Sequence, residues 1–229
     1  MGIRGAAAQI RGRQERFGDN QGRIFYRGPL RVTLGGGAAI YNGDLASSLS
    51  DKFPGLSVSA GLLYRLRPHF QVGAEGGYFR VGSRDQLPER GLAFQGDNGV
   101  GTVFVRYEPI QDHSAYAGLP SNPPILQPFL KAGAGLLLYN PKTYLGTTRP
   151  NSGTSYLTPE RNDYPAVAAV VPLGAGLSVR AGDLFRVTLE GAYYFTTTDH
   201  LDDVSARGNA KLNDGFGTAE LKLEYRIWR

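Results

Sequence analysis

The carboxy-terminal segment of this chain alternates strictly between apolar and charged residues. Leucine, tyrosine and isoleucine take the odd positions of 221–227, whereas lysine, glutamate and arginine take the even positions between them. A period of two places these two sets on opposite faces of a β-strand. The pattern recurs in 185–195 and in 70–78, each with an aromatic residue near both ends. Such strands are typical of transmembrane β-barrels.

The composition agrees with closely packed strands and excludes a membrane-spanning helix. The 229 residues include 32 glycines and no cysteine, so disulfide bonds do not hold the fold together. The glycines are dispersed and have no collagen period, which suits strands that approach each other closely or bend. No run of 18 apolar residues is present.

The alternation predicts eight strands joined by connections that alternate in length. We predict strands at about 29–42, 55–67, 69–82, 98–110, 127–140, 165–180, 184–197 and 215–228. The turns at 67–69 and 181–183 are tight, and 43–54, 83–97, 141–164 and 198–214 are long. A proline-rich link at 111–126 is the exception on the short-turn side. The prediction is an all-β, eight-stranded antiparallel up-and-down transmembrane β-barrel with short periplasmic turns and long extracellular loops.

The apolar face has two candidate directions. A soluble barrel of the lipocalin type turns it inward, whereas a membrane barrel turns it toward lipid. Phe70 and Tyr78 are eight positions apart, as are Phe185 and Tyr193. This spacing corresponds to roughly 20 Å of height on a tilted strand, close to the apolar band of a membrane barrel. We therefore predict an outward apolar face with an aromatic girdle made of Tyr64, Phe70, Tyr78, Tyr107, Phe185, Tyr193 and Tyr225.

The opposite face is rich in glycine and serine and carries charges of both signs. Its predicted lumenal charge network consists of Arg31, Arg65, Glu75, Arg106, Glu108, Lys131, Arg180, Arg186, Glu190, Lys222, Glu224 and Arg226. An eight-stranded barrel has just enough room for side chains, so these charges are expected to pair and form a plug rather than an open pore. The natural partners of Arg65, Arg186 and Arg226 are then Glu75, Glu190 and Glu224.

The chain divides into a basic amino-terminal segment, 1–28, and a barrel domain, 29–229. We predict that the first segment is flexible and retains a remnant of a signal-peptide region, because small residues at 5–9 resemble a cleavage site. The true start is then expected upstream of Met1. A basic arm is also able to bind phosphate groups, but without an accompanying aromatic-basic patch we predict no nucleic-acid partner.

His200 lies in an acidic stretch with Asp199, Asp202 and Asp203. Such a cluster is able to activate water for hydrolysis or to hold a calcium ion. No matching acidic pair and no nucleophilic serine accompany it, and aspartates commonly cap loops. We predict no enzymatic activity, no catalytic residue, no metal site and no cofactor.

Four segments resemble a known family: LGGGAAIYNGDL (34–45), QPFLKAGAGLLLYNPK (127–142), VPLGAGL (171–177) and YFTTTDHLDDVS (194–205). They are similar to Bacteroidota outer-membrane β-barrel proteins related to PorG of the type IX secretion system. The resemblance spans about 30–228. It implies a place in the cell outer membrane, contact with outer-membrane lipid, insertion by the barrel-assembly machinery, and periplasmic secretion-system subunits as partners.

The expected function is therefore a structural or assembly role in the outer membrane, as an accessory component of type IX protein secretion. The main alternative is a surface-interaction, adhesin-like barrel that acts through its extracellular loops. A small transporter and a rim hydrolase are the remaining alternatives.

Overall fold

The described part of the chain is a closed antiparallel barrel. The computed structural model describes residues 16–19, 22–43, 51–85, 91–118, 123–159, 162–198, 200–201 and 214–227. Two short strands come first, β1 (Arg16–Gly18) and β2 (Ile24–Tyr26). The later strands are β3 (Leu30–Asn42), β4 (Lys52–Arg67), β5 (Phe70–Arg84), β6 (Leu92–Tyr107), β7 (Leu126–Tyr139), β8 (Pro141–Leu145), β9 (Ala166–Arg180), β10 (Phe185–Thr196) and β11 (Gly215–Arg226).

Eight of these strands form the barrel wall. The order around the barrel is β3, β4, β5, β6, β7, β9, β10 and β11, and every neighbouring pair is antiparallel. Strand β11 pairs with β3 from Gly215 opposite Asn42 to Arg226 opposite Arg31, which closes the barrel. The predicted eight-stranded barrel is confirmed. Among the described residues, no helix is long and apolar enough to cross a membrane.

Strand β6 begins six residues before its predicted start, and β8 occupies part of a predicted loop. Residues 92–96 pair with β8 on one side, and 93–97 pair with the end of β5 on the other. Strands β5, β6 and β8 therefore project beyond the barrel. An alternation test does not detect this extension, because the buried apolar residues Leu92, Ala93 and Phe94 are consecutive and are followed by polar residues and glycine.

The apolar face points outward around the wall. At mid-strand, Leu189 is 57% exposed and Leu221 is 59% exposed, whereas the charged Glu224 is 1% exposed. Apolar area left in water costs roughly 25 cal/mol per Å², so a complete belt of such side chains requires hydrocarbon around it. A soluble barrel with an apolar interior is therefore excluded. The protein is an integral barrel of the outer membrane, as the sequence predicted.

Aromatic side chains lie at both edges of this belt. At the short-turn end, the ring centroids of Phe70 and Tyr107 are 5.2 Å apart, and those of Phe185 and Tyr225 are 5.1 Å apart. Tyr64 lies half-buried at the same end; Tyr78 and Tyr193 lie toward the other end. Since outer-membrane barrels have short periplasmic turns, the turns at 68–69 and 181–184 mark the periplasmic end.

Part of the segment predicted to be flexible forms a hairpin at the periplasmic end. Strand β1 pairs with β2, with Phe17 packed against Phe25 at 5.9 Å between ring centroids. The guanidinium of Arg27 lies 3.8 Å above the Phe17 ring, and the amide of Ala117 donates to the carbonyl of Ile24 at 2.9 Å. These aromatic and backbone contacts hold the hairpin in place, although the basic composition of the segment predicted a flexible arm. Residues 1–15 lie outside the described ranges.

Candidate functional site in the barrel interior

The barrel interior contains three layers of side chains. The periplasmic layer, called here the arginine cluster, consists of Arg31, Arg65, Arg106, Glu108, Asp112, Arg186 and Glu224. Arg106 Nη1 is 2.7 Å from Glu224 Oε1, and Arg31 Nε lies 3.9 Å from the other oxygen of that carboxylate. Thr188 also donates its hydroxyl to Glu224 at 2.8 Å. Arg106 and Glu224 therefore form the closest ion pair of the cluster, and both side chains are buried.

Asp112 enters the arginine cluster from outside the barrel wall. It caps the 3₁₀ helix His113–Ala115 and accepts a hydrogen bond from the amide of Ser114 at 3.0 Å. Its other oxygen lies 2.8 Å from Arg65 Nη1. Burial alone would raise the pKa of this carboxyl, but Arg65 and the bonds from Ser114 hold the pKa below its ordinary value of 3.8. The proline-rich link therefore supplies an ionised carboxylate to the arginine cluster.

The middle layer, called here the lysine cluster, consists of Glu75, Lys131, Glu190, Glu220 and Lys222. Lys131 Nζ lies 2.7 Å from Glu190 and 3.1 Å from Glu75. Lys222 Nζ lies 3.0 Å from the same Glu190 oxygen and 3.3 Å from Glu220, which also accepts a 2.6 Å hydrogen bond from Ser59. Each ammonium group is thus shared between carboxylates from different strands.

The extracellular layer is aromatic. Phe216 stacks between Phe79 and Tyr194, with ring centroids 4.0 and 4.4 Å apart. Tyr41, Phe94 and Tyr139 fill the space above them and are buried. A cavity between this layer and the lysine cluster measures about 10 Å³, at the lower limit of the space that one water molecule requires. The described side chains therefore leave no room for a solute at this height.

Ten of the twelve predicted lumenal residues lie in the arginine and lysine clusters, and two lie elsewhere. Arg180 pairs with Asp183 in the periplasmic turn, and Arg226 lies at the periplasmic rim. The predicted pairings were wrong, because Glu75 and Glu190 contact lysines whereas Glu224 contacts Arg106 and Arg31.

Two carboxylates of these clusters, Glu220 and Asp112, were not predicted from the sequence. Glu220 lies two positions before Lys222 and four before Glu224, so the alternation along β11 places all three on the inward face. The alternation would therefore have identified Glu220. Asp112 lies in an irregular link, where no periodicity indicates direction. With both included, the two clusters contain six cations and six carboxylates, whereas the network predicted from the sequence contains eight cations and four carboxylates.

The three histidines of the chain lie at opposite ends of the barrel. His200 is at the extracellular end, where its amide donates to Thr198. His69 and His113 are at the periplasmic end, and His69 Nδ1 lies 2.8 Å from the carbonyl of Glu108. The predicted acidic neighbours at 199, 202 and 203 are outside the described residues. In the described ranges, no group of three histidine, cysteine, aspartate or glutamate side chains is placed to hold a metal ion.

A cavity of about 380 Å³ opens at the periplasmic end, below the arginine cluster. Its arginines are Arg27, Arg31, Arg65, Arg180, Arg186 and Arg226. The carboxylates on its wall, Asp112 and Asp183, already pair with Arg65 and Arg180. Positive charge therefore predominates in the part of the wall that the structure describes.

Comparison with known proteins finds similarity among solved structures alone. No protein-family model matches the chain, and no curated protein matches it. Neisserial surface protein A is 13% identical, with a TM-score of 0.49 over 88% of this chain and 99% of that one. Ail, the attachment invasion locus protein of Yersinia pestis, is 14% identical, with a TM-score of 0.48 over 87% and 99%. OprG of Pseudomonas aeruginosa is 8% identical, with a TM-score of 0.44 over 89% and 98%.

Proposed function

We propose that this protein is a non-conducting structural or assembly barrel of the outer membrane, acting as an accessory component of protein secretion. The observation that carries the first part is the filled interior, in which three side-chain layers follow each other along the barrel axis. A path for ions would require water-filled space beside paired charges, and the cavity above the lysine cluster measures about 10 Å³.

The periplasmic end supports an assembly role. The hairpin of β1 and β2 docks on the link through the bridge between Phe25 and Tyr116, and Arg23 stacks over the Tyr116 ring at 4.7 Å. This folded platform lies outside the barrel wall, where periplasmic partners are able to reach it. The resemblance to barrels related to PorG supports secretion as the process and periplasmic secretion subunits as the partners.

Two experiments test the proposal. Purified protein in planar bilayers is expected to give no steady conductance, and large stable openings would overturn the non-conducting part. Deletion of the gene is expected to reduce export of carboxy-terminally tagged cargo, and complementation with the intact gene should restore it. Undiminished export in the deletion strain would remove the secretion role while leaving the structural one.

The projection made by β5, β6 and β8 favours a second candidate, a surface-interaction barrel. At its tip Leu145 is 66% exposed, and Tyr156, which bridges to Tyr144, is 48% exposed. Exposed apolar and aromatic side chains on an extracellular projection are suited to contact another molecule. Replacing both Leu145 and Tyr156 with serine is expected to reduce adhesion of cells carrying the protein, at unchanged surface abundance. Unchanged adhesion would leave the assembly role.

A further inference from the structure

We propose that the 380 Å³ periplasmic cavity is a binding site for a phosphate-bearing ligand. The proposal is independent of the secretion role. Four of its arginines come from four successive strands of the wall, in the order β3, β11, β10 and β9. They are Arg31, Arg226, Arg186 and Arg180.

The strand register places arginines directly opposite each other at the periplasmic rim. Arg226 lies directly opposite Arg31 in the β11–β3 pair, and Arg186 lies directly opposite Arg180 in the β10–β9 pair. Like charges at directly opposed positions of a sheet are destabilising. An anion seated between the two pairs would convert this repulsion into attraction.

The buried arginines retain unused hydrogen-bonding capacity. Arg31 and Arg186 are 8% and 7% exposed, and Arg31 Nε and Arg186 Nη1 donate no hydrogen bond to any described residue. Their ion pairs are long, with 3.9 Å from Arg31 Nε to Glu224 and 3.7 Å from Arg186 Nη1 to Glu108. The Arg226 side chain has no ion pair within the described ranges. The carboxylate oxygens that they face, Glu224 Oε2 and Glu108 Oε1, accept no hydrogen bond from a described residue either. Buried donors without acceptors are costly, and a ligand rich in acceptor oxygens in the cavity would satisfy them.

Guanidinium groups favour phosphate because their planar donors bind two oxygens at once. The cavity is at the small end of the range for ligand pockets, and it is larger than a single phosphate ion needs. Its wall includes Leu184 and Phe185, which are 44% and 40% exposed at the lower edge of the lipid-facing belt. A phospholipid headgroup of the periplasmic leaflet and a free phosphorylated compound both supply the required chemistry.

The test is a calorimetric titration of the intact protein with inorganic pyrophosphate, in a maltoside detergent that contains no phosphate. We expect saturable binding that weakens as salt increases. Arg226→Gln should weaken it about 10-fold or more, since hydrogen bonds to charged groups contribute roughly 1.5–3 kcal/mol. Arg226 is the safest position to change because it takes no part in the ion pairs of the arginine cluster.

Arg67→Gln is the matched control. Arg67 is an exposed arginine at the same end of the barrel, and it does not line the cavity. Its replacement makes the same change in net charge and should leave the affinity within about 2-fold. Absence of saturable binding, or equal weakening by both substitutions, would overturn the proposal. Migration of the unheated protein in gel electrophoresis verifies that each variant is folded.

A second arm separates the two sources of phosphate. The same titration is repeated in nanodiscs that contain phosphatidylglycerol. If a headgroup occupies the cavity, the pyrophosphate signal should be lost in wild-type nanodiscs and present in detergent. If a free compound is the ligand, pyrophosphate should bind equally in both, again with weakening by Arg226→Gln.

Discussion

The substitution Glu224→Gln tests whether the arginine cluster is truly desolvated. It keeps the size of the side chain and removes its charge, which leaves Arg31, now 3.9 Å from Glu224, without an ion pair among the described residues. Arg106 loses its 2.7 Å contact and, of its described ion-pair partners, keeps only Glu108, at 3.3 Å. At an effective dielectric constant of about 20, the attraction across the shorter contact is roughly 6 kcal/mol before desolvation is subtracted. Breaking a buried pair by removing one partner costs about 3–5 kcal/mol. We expect a loss of stability in that range.

Asp97→Asn provides the matched control. Asp97 Oδ1 lies 2.6 Å from Arg80 Nε and also accepts from the hydroxyl of Tyr78, so it has the same two kinds of partner as Glu224. Its side chain is 38% exposed, against 1% for Glu224. Solvent-exposed ion pairs contribute about 0–1 kcal/mol, so Asp97→Asn should have little effect. The difference in stability loss between the two variants therefore reports the effect of burial, because the two carboxylates have the same kinds of partner.

The assay is thermal unfolding in detergent micelles, followed by circular dichroism and by the shift between folded and unfolded bands in electrophoresis. For a chain of this size, each kcal/mol corresponds to about 2–4 °C in Tm. Glu224→Gln should therefore lower Tm by roughly 6–20 °C. Equal effects of the two substitutions would refute the reasoning, because they would mean that water solvates the arginine cluster and the barrel is open from below.

Three further predictions concern the wall and the link. Leu189→Arg, midway between the aromatic edges, should cost about 2–4 kcal/mol in lipid bilayers and hinder assembly, measured by refolding into vesicles. Gly37→Ala should destabilise strongly because its Cβ would lie 1.9 Å from a carbonyl oxygen of the adjacent strand, whereas Gly36→Ala, with 4.0 Å, should be tolerated in the same assay. The Ser114 amide resonance should titrate with a midpoint below 3.8, since protonation of Asp112 removes the stabilising charge as the pH falls through its depressed pKa; a midpoint at or above 3.8 would contradict this.

The wall of the barrel could be predicted because lipid imposes one simple requirement on it. Every outward position between the aromatic edges must be apolar, so a period of two appears in the sequence wherever a strand crosses. Above the membrane this requirement ends, and the start of β6 at Leu92 and the whole of β8 went unrecognised. There polar and apolar residues are mixed on the exposed side, where Lys142 and Leu145 both lie, and hydrogen bonding to neighbouring strands organises the chain.

The sequence predicted which side chains point into the barrel, but it did not predict which of them form ion pairs with each other. Alternation along a strand indicates which side chains face inward, and it identifies Glu220 as readily as Lys222. Alternation does not indicate which side chains of other strands lie at the same height in the lumen. Lys131 reaches Glu190, two strands away around the wall, and Glu75 from the other direction. Such contacts depend on tilt and stagger, which an alternating sequence leaves unspecified.

The balance of charge within the two clusters has a consequence for the rest of the molecule. Six cations face six carboxylates in the arginine and lysine clusters, so no surplus charge needs to be hydrated inside. An enclosed network is tolerable in lipid when each charge has a partner. Asp112 completes this balance from the periplasmic link, which couples the docked hairpin and link to the closure of the lumen. The arginines that the balance does not require, Arg226 and Arg27, lie at the periplasmic mouth, where unneutralised positive charge meets the membrane surface and the periplasm.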